Sequence, residues 1–244
     1  PLLNALVAKK VLARLGGNLR AALSGGAALP PDVSRVFIGL GLNVLQGYGM
    51  TEASPCTHMT PTGDPRAHGT VGVCVADTEC CVVDADGRRL GPGEGDGEIW
   101  VRGPQVMAGY WKRPEETAKV MTADGFFRTG DIGVMAEDGL IKIVDRKKDM
   151  ILVSGFDVFP NELENVISMC PGVVECAAIG VADDKQGEAI KVFVVRNDTT
   201  LTEDAVARYC RENLTGYKVP KYIEFRDELP KTNVGKILRR ELRA

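Results

Sequence analysis

Gln46-Gly47-Tyr48-Gly49-Met50-Thr51-Glu52 follows directly on a short apolar run, Asn43–Gln46, that reads as a strand. Two closely spaced glycines let a backbone pass near a ligand. Tyr48 offers a flat face for a base or ring, Thr51 a hydroxyl for a phosphate oxygen, and Glu52 a hard oxygen for Mg²⁺. The same pattern also fits an ordinary glycine turn, and short glycine motifs alone decide nothing.

Working upstream, Ser24-Gly25-Gly26-Ala27 forms a second tight turn after a predicted strand, Leu19–Ser24. Helices are expected over Leu3–Leu15 and Pro31–Leu40, the latter opened by Pro30-Pro31, where a missing N–H costs nothing. Helix–strand alternation predicts the edge of a parallel sheet, with both glycine turns at strand C-terminal ends, where nucleotides bind.

Downstream of Gly72 the texture changes. Short strands (Glu79–Val83, Gly97–Arg102, Gly133–Ala136, Leu140–Val144) alternate with turn signals, and Asp86-Gly87 and Asp138-Gly139 read as hairpin turns. A small twisted antiparallel sheet or barrel is expected, with a helix from Pro114 to Met121. Asp124-Gly125-Phe126-Phe127-Arg128-Thr129-Gly130-Asp131 places Asp131 after a glycine turn. There it suits either two ribose hydroxyls or a turn cap.

Asp145-Arg146-Lys147-Lys148-Asp149 is a run of charge that reads as an exposed linker or hinge. An α+β pattern follows: strand Met150–Val153, helix Pro160–Met169, strands Val174–Val181 and Ala189–Val195, helix Thr202–Glu212 capped by Thr202, and strand Tyr222–Phe225. The chain therefore divides near residue 146. Lys236 falls in Pro230–Lys236 (PKTNVGK), which reads as a mobile loop.

The 244 residues carry a formal net charge of −3, with 44% apolar and 26% charged side chains. That is globular composition, and it gives no global basic field. The stretch Lys218–Arg243 has eight Lys/Arg against four Asp/Glu, but its sparse aromatics argue against a nucleic-acid platform. The first residue is Pro, which reads as a fragment. No signal peptide or membrane-length apolar run is seen. Seven cysteines without a CxxC pair argue against a disulfide framework or a zinc site, and for reduced, buried thiols in the cytoplasm.

Taken together and in order, SGGAAL, QGYGMTE, FRTGD, DRKKD and PKTNVGKILRREL resemble the adenylate-forming superfamily of acyl- and aryl-CoA ligases, peptide-synthetase adenylation domains and luciferases. DGFFRTGDIGVMAEDGLIKIVDRKKD and MILVSGFDVFPNELE are similar to the bacterial long-chain fatty acid–CoA ligases within it.

The resemblance implies an α/β plus α+β fold. Residues 1–145 would be the C-terminal part of a large adenylation domain: a sheet-and-helix part, 1–71, and a small β-barrel-like subdomain, 72–145. Residues 146–244 would be a small mobile C-terminal domain. It further implies that Gly25, Gly26 and Ala27 line an adenine pocket with Gln46, Gly47, Tyr48, Gly49 and Ile143. Thr51 would contact the α-phosphate, Glu52 would hold Mg²⁺, and Asp131 would take the ribose with Arg146 nearby. Lys236 would be the adenylation lysine and Lys148 the pivot. Ser154, Gly155 and Phe156 would border CoA, and Gly47 and Met50 would lie near the acyl group.

ATP and CoA are the implied co-substrates, a fatty acid the acyl donor, and the missing N-terminal half a partner; a homodimer and a peripheral membrane contact are admitted. One departure stands out. No Ser/Thr/Gly-rich phosphate loop precedes QGYGMTE, so about half of the family's site is present. An aryl-acid ligase, an inactive folded fragment and a non-enzymatic interaction module are the alternatives.

Overall fold

The structure, a computed structural model, describes residues 7–27, 29–233 and 235–243. Two compact units part between Ile143 and Val144.

The first unit begins with α1 (Lys9–Arg14); residues 3–6 of the expected longer helix lie outside the described residues. Then come β1 (Ala22–Ser24), α2 (Pro31–Gly39), β2 (Val44–Gly49), β3 (Cys56–Met59) and β4 (Val73–Cys74). These strands form one sheet in the order β1-β2-β3-β4. Only β1 and β2 are parallel, with Ser24 opposite Gln46; β3 and β4 return antiparallel. The sheet is thus mixed rather than parallel throughout.

The strand that was expected to stop at Gln46 continues through Gly47, Tyr48 and Gly49. A close backbone approach explains Gly49 better than a turn. A Cβ on Gly49 would collide with the Pro55 carbonyl as the chain doubles back, whereas one on Gly47 would meet Leu23 Cδ1 at an ordinary 3.5 Å. Gly49→Ala is therefore expected to cost about 1–3 kcal/mol and Gly47→Ala under about 1 kcal/mol. Urea denaturation of the two variants checks the contrast, and equal costs would contradict it.

A second sheet follows from β5 (Glu79–Val83), β6 (Arg89–Leu90), β7 (Asp96–Arg102), β8 (Phe127–Met135) and β9 (Ile141–Arg146), with α3 (Pro114–Val120) between β7 and β8. Its order is β6-β5-β7-β8-β9, an open antiparallel sheet, one of the two forms expected, without the barrel-like closure of the other. Both predicted Asp-Gly hairpin turns form, with Gly87 and Gly139 at φ 84° and 80°. The core lies under Val82, Ile99, Val101, Phe127 and Ile141. Alternation along β7, where Gly97, Ile99 and Val101 are buried and their neighbours are not, turns one face of that strand inward.

In the second unit, β10 (Ile151–Val153) and β11 (Phe156–Val158) form a hairpin before α4 (Pro160–Ile167). There follow β12 (Val173–Asp183), β13 (Gly187–Arg196), α5 (Glu203–Asn213), β14 (Tyr222–Arg226) and α6 (Arg239–Leu242). The sheet runs β11-β10-β13-β12, with β14 parallel to β13. Thr202 caps α5 by accepting from the Ala205 N–H at 3.2 Å. Strands β12 and β13 are covered on both faces. Cys176, Ala178, Ile190, Val192 and Val194 meet α4 and α5 on one side, while Ala177, Ile179 and Phe193 meet Leu229 and Leu242 on the other. Their nearly unbroken apolar sequence follows from that double burial.

Candidate active site

The two glycine motifs lie side by side. Register puts Ser24 opposite Gln46, and a Cβ on Gly25 would stand 3.4 Å from the Gly47 carbonyl oxygen. Gly26, at φ 79°, turns the chain away from β1, and Gly25, Gly26 and Ala27 are exposed there. Gln46 uses its backbone N–H and C=O on Thr60, at 2.8 and 2.9 Å.

Tyr48 faces the second sheet, and its hydroxyl donates to Asp131 Oδ2 at 2.7 Å. Burial, with the Asp131 charge next, pushes the phenol well above its ordinary pKa, so it stays a donor at neutral pH. Asp131 is not in a turn: it sits within β8, only 9% exposed, at an irregularity opposite Ile99. Between the pairs Glu98–Ile132 and Trp100–Arg128, β8 has extra residues, and Gly130 takes φ 72°. Thr129 Oγ1 donates to the Ile99 carbonyl at 2.7 Å and accepts from the Asp131 N–H at 3.1 Å, and Glu98 accepts from the Gly130 N–H at 3.2 Å. The bulge thus aims Asp131 at Tyr48.

Beyond β2 a short 3₁₀ turn carries Thr51, exposed, and Glu52, half-buried. Glu52 Oε1 accepts from the Tyr110 hydroxyl at 2.8 Å, and the Glu52 carbonyl accepts from the Met107 N–H at 2.7 Å. Burial and the neighbouring Glu52 carboxylate push Tyr110 up to about 12. Met50 and Ile143 pack partly into the core beneath the second sheet, so both also serve as packing residues. Tyr110, Thr129 and Glu98 were not anticipated. Their only sequence signal is the company of the known motifs, since each acts across strands.

The second unit holds the remaining candidates. The DRKKD run is not wholly exposed. Asp145 and Asp149 are buried at 1% and 6% exposure, and only Arg146, Lys147 and Lys148 face solvent. Asp145 accepts from the Arg146 and Asn161 N–H groups, both at 2.7 Å. Burial nevertheless raises its carboxyl above the ordinary range, with those two donors opposing. Asp149 meets Arg243 at 3.1 Å and Arg239 at 3.8 Å. Satisfied hydrogen bonds make these buried carboxylates tolerable.

Ser154 and Gly155 form the tight β10–β11 turn, at φ 51° and 84°, and Phe156 stacks on Tyr217 at 4.9 Å. The backbone on either side of Lys236 is hydrogen-bonded. The Thr232 N–H donates to the Lys236 carbonyl at 2.8 Å and the Leu238 N–H to the Pro230 carbonyl at 2.8 Å. Lys231 pairs with Ile237, and the side chain at 236 is exposed.

Two family models match: AMP-binding enzyme over residues 1–111, and the AMP-binding enzyme C-terminal domain over 162–236. The chain belongs to the AMP-binding enzyme family. This AMP-binding enzyme is 50% identical over 244 residues to a long-chain-fatty-acid–CoA ligase of Escherichia coli O157:H7, covering 99% of this chain and 43% of that protein. It is 44% identical over 232 residues to a feruloyl-CoA synthase of an Amycolatopsis species, covering 93% and 46%.

Among solved structures, ATP-bound MatB from Rhodopseudomonas palustris aligns at TM-score 0.85 and 38% identity, over 91% of this chain and 44% of MatB. The o-succinylbenzoate CoA synthetase MenE of Bacillus subtilis, holding its acyl-adenylate, aligns at TM-score 0.84 and 28% identity, over 97% and 50%. The chain spans less than half the length of the curated relatives it matches. No helix among the described residues is long and apolar enough to cross a membrane.

Proposed function

We propose that the chain carries the adenylate-recognising part of a cytoplasmic long-chain fatty acid–CoA ligase. The observation that carries this reading is the Tyr48–Asp131 hydrogen bond of 2.7 Å, made beside the Gly25–Gly47 contact and one short step from Thr51 and Glu52. Tyr48 would pack on adenine, Asp131 would accept the ribose hydroxyls, and Thr51 would meet the α-phosphate.

In the reaction, the fatty acid carboxylate attacks the α-phosphorus of ATP and pyrophosphate leaves. The CoA thiol then attacks the acyl carbon, releasing AMP. The first step joins two anions, so positioning and charge neutralisation dominate it. Lys236 would place an ammonium on the phosphate. A half-buried carboxylate with a Tyr110 donor fits a hard cation, and Glu52 would hold Mg²⁺, which when bound neutralises phosphate charge. Residues 146–244 would swing about Lys148, exchanging Lys236 for the Ser154–Phe156 turn before thioester formation. The upstream half present in the relatives would complete the site. Exposed Leu23 on β1, and Val36 and Ile38 on α2, suit burial under such a partner.

Asp131→Asn tests the site. A hydrogen bond to a carboxylate is worth about 1.5–3 kcal/mol against about 1 kcal/mol for a neutral acceptor, so with two hydroxyls held AMP affinity by calorimetry is expected to fall about tenfold. The loss should vanish with 2′,3′-dideoxy-AMP, which has no hydroxyl for Asp131 to hold. Equal AMP binding by the two proteins would remove Asp131 from the ribose. Joined to the upstream half of a relative, the chain is expected to form AMP from ATP, CoA and palmitate in preference to ferulate. The reverse preference would make it an aryl-acid ligase.

A further inference from the structure

The sequence spacing gives no zinc motif, yet the fold gathers one imidazole and two thiols from three strands. β3 and β4 pair with His58 directly opposite Cys74, and Cys74 Sγ lies 3.4 Å from His58 Nε2. The Val75–Thr78 turn then carries the chain into the second sheet and returns Cys80 to the same point. One ring nitrogen of His58 and both Sγ atoms all lie within 4.8 Å of one another. His58 is fully buried, and Cys74 and Cys80 are half-buried.

The ring is also held in one tautomer. Thr57 Oγ1 donates its single hydrogen to the Tyr48 carbonyl at 3.2 Å, so at 3.0 Å from His58 Nδ1 that oxygen acts as an acceptor. Nδ1 therefore carries the proton, and the Nε2 lone pair faces the thiols. A second group that accepts from the far nitrogen is what a metal-ligating histidine ordinarily has.

We propose that His58 Nε2, Cys74 Sγ and Cys80 Sγ form a binding site for a thiolate-seeking divalent ion of the zinc class. Zinc ligands at about 2.0–2.3 Å from a tetrahedral ion lie about 3.3–3.8 Å apart. The His58–Cys74 pair is already at that spacing, and Cys80 needs a shift of about an ångström at most. Each thiol exchanges its proton for the metal, so binding one ion releases two protons, and water fills the fourth position. The ion would join β4 of the first sheet to β5 of the second behind Tyr48, whose ring centre lies 5.6 Å from that of His58. The site is independent of the ligase reading, and its three ligands are none of the residues assigned to nucleotide.

The test titrates the reduced, metal-stripped 244-residue chain with Co²⁺ under anaerobic conditions. Expected are one equivalent of uptake, tetrahedral d–d bands and sulfur-to-cobalt charge-transfer absorption, all reversed by Zn²⁺. Cys74→Ser and Cys80→Ser should each abolish the charge-transfer signal or weaken binding more than tenfold. Cys81→Ser, one residue along β5 and facing the other side of the sheet, should leave it intact. Thr57→Val, which removes the Nδ1 acceptor, should weaken binding about 10- to 100-fold. At about 100 times its dissociation constant, Zn²⁺ should raise Tm by roughly 5–10 °C. The proposal is overturned if the unmutated chain gives no charge-transfer band, or if Cys81→Ser removes the band as completely as Cys80→Ser. A dithiol that ignores cobalt and merely oxidises to a Cys74–Cys80 disulfide in air overturns it as well.

Discussion

Lys236→Ala, in the chain joined to the upstream half of a relative, is expected to lower acid-dependent ATP–pyrophosphate exchange by about 10²–10³-fold, the usual loss when one donor to developing charge is removed. Thioester formation from supplied acyl-adenylate should stay within a few-fold of the unmutated enzyme. The asymmetry follows from the chemistry. Only the first step brings a carboxylate against a triphosphate, so only that step needs an ammonium there. Lys236→Arg is not expected to restore the exchange, because a planar guanidinium cannot substitute for a compact point charge on a flexible stem. The backbone at 236 is held by the Thr232, Pro230 and Leu238 hydrogen bonds, so the substitution should leave the local fold intact. Equal loss in both half-reactions would show that Lys236 matters for assembly and not for adenylation.

The second large effect concerns stability. Arg239 enters the second unit at the start of α6 and binds Glu164 at 2.7 and 2.9 Å, Asn161 Oδ1 at 3.1 Å and Asp149 at 3.8 Å. Both Arg239 and Glu164 are about five-sixths buried, at 16% and 15% side-chain exposure. Burial raises the Glu164 carboxyl above its ordinary range, and the Arg239 charge opposes that rise. Arg239→Ala would strand Glu164 without its cation and leave Asp149 with Arg243 alone, at an expected cost of about 3–5 kcal/mol. Replacing the pair together, Arg239→Met with Glu164→Gln, should recover most of that loss, since the charge is removed while an acceptor stays for the Ala178 N–H at 2.8 Å. Urea denaturation of the three proteins measures the contrast. An Arg239→Ala cost below about 1 kcal/mol would mean that the pair is effectively solvated.

Much of the architecture was legible because its signals are local. Pro114 and Pro160 open their helices, Thr202 caps α5, and Asp-Gly turns join β5 to β6 and β8 to β9. The misreadings share a cause: each depends on something distant in sequence. Gly49 looked like a turn because its close neighbour, the Pro55 carbonyl, is reached only after the chain doubles back. The DRKKD run looked wholly solvated because the groups that shelter Asp145 and Asp149 come from Asn161, Arg239 and Arg243. Whether an antiparallel sheet closes is likewise decided between its edges, and here β6 and β9 remain separate borders. Within the site, Tyr48 and Asp131 were each legible as ligand groups, but their bond was not, because 83 residues separate them. Gathering His58, Cys74 and Cys80 required all three strand positions at once.

The grip of Asn161 on Asp145 bears on timing. Lys148 lies between these two residues in the chain, so the proposed pivot there would part them, breaking a 2.7 Å hydrogen bond to a carboxylate with almost no access to water, whereas a turn at the Ile143–Val144 division would keep them together. At about 1.5–3 kcal/mol for a charged acceptor, that bond would act as a latch on the proposed pivot. It would set a dwell time on one side of the catalytic cycle, and weakening it would change how quickly the enzyme alternates more than how well either arrangement works.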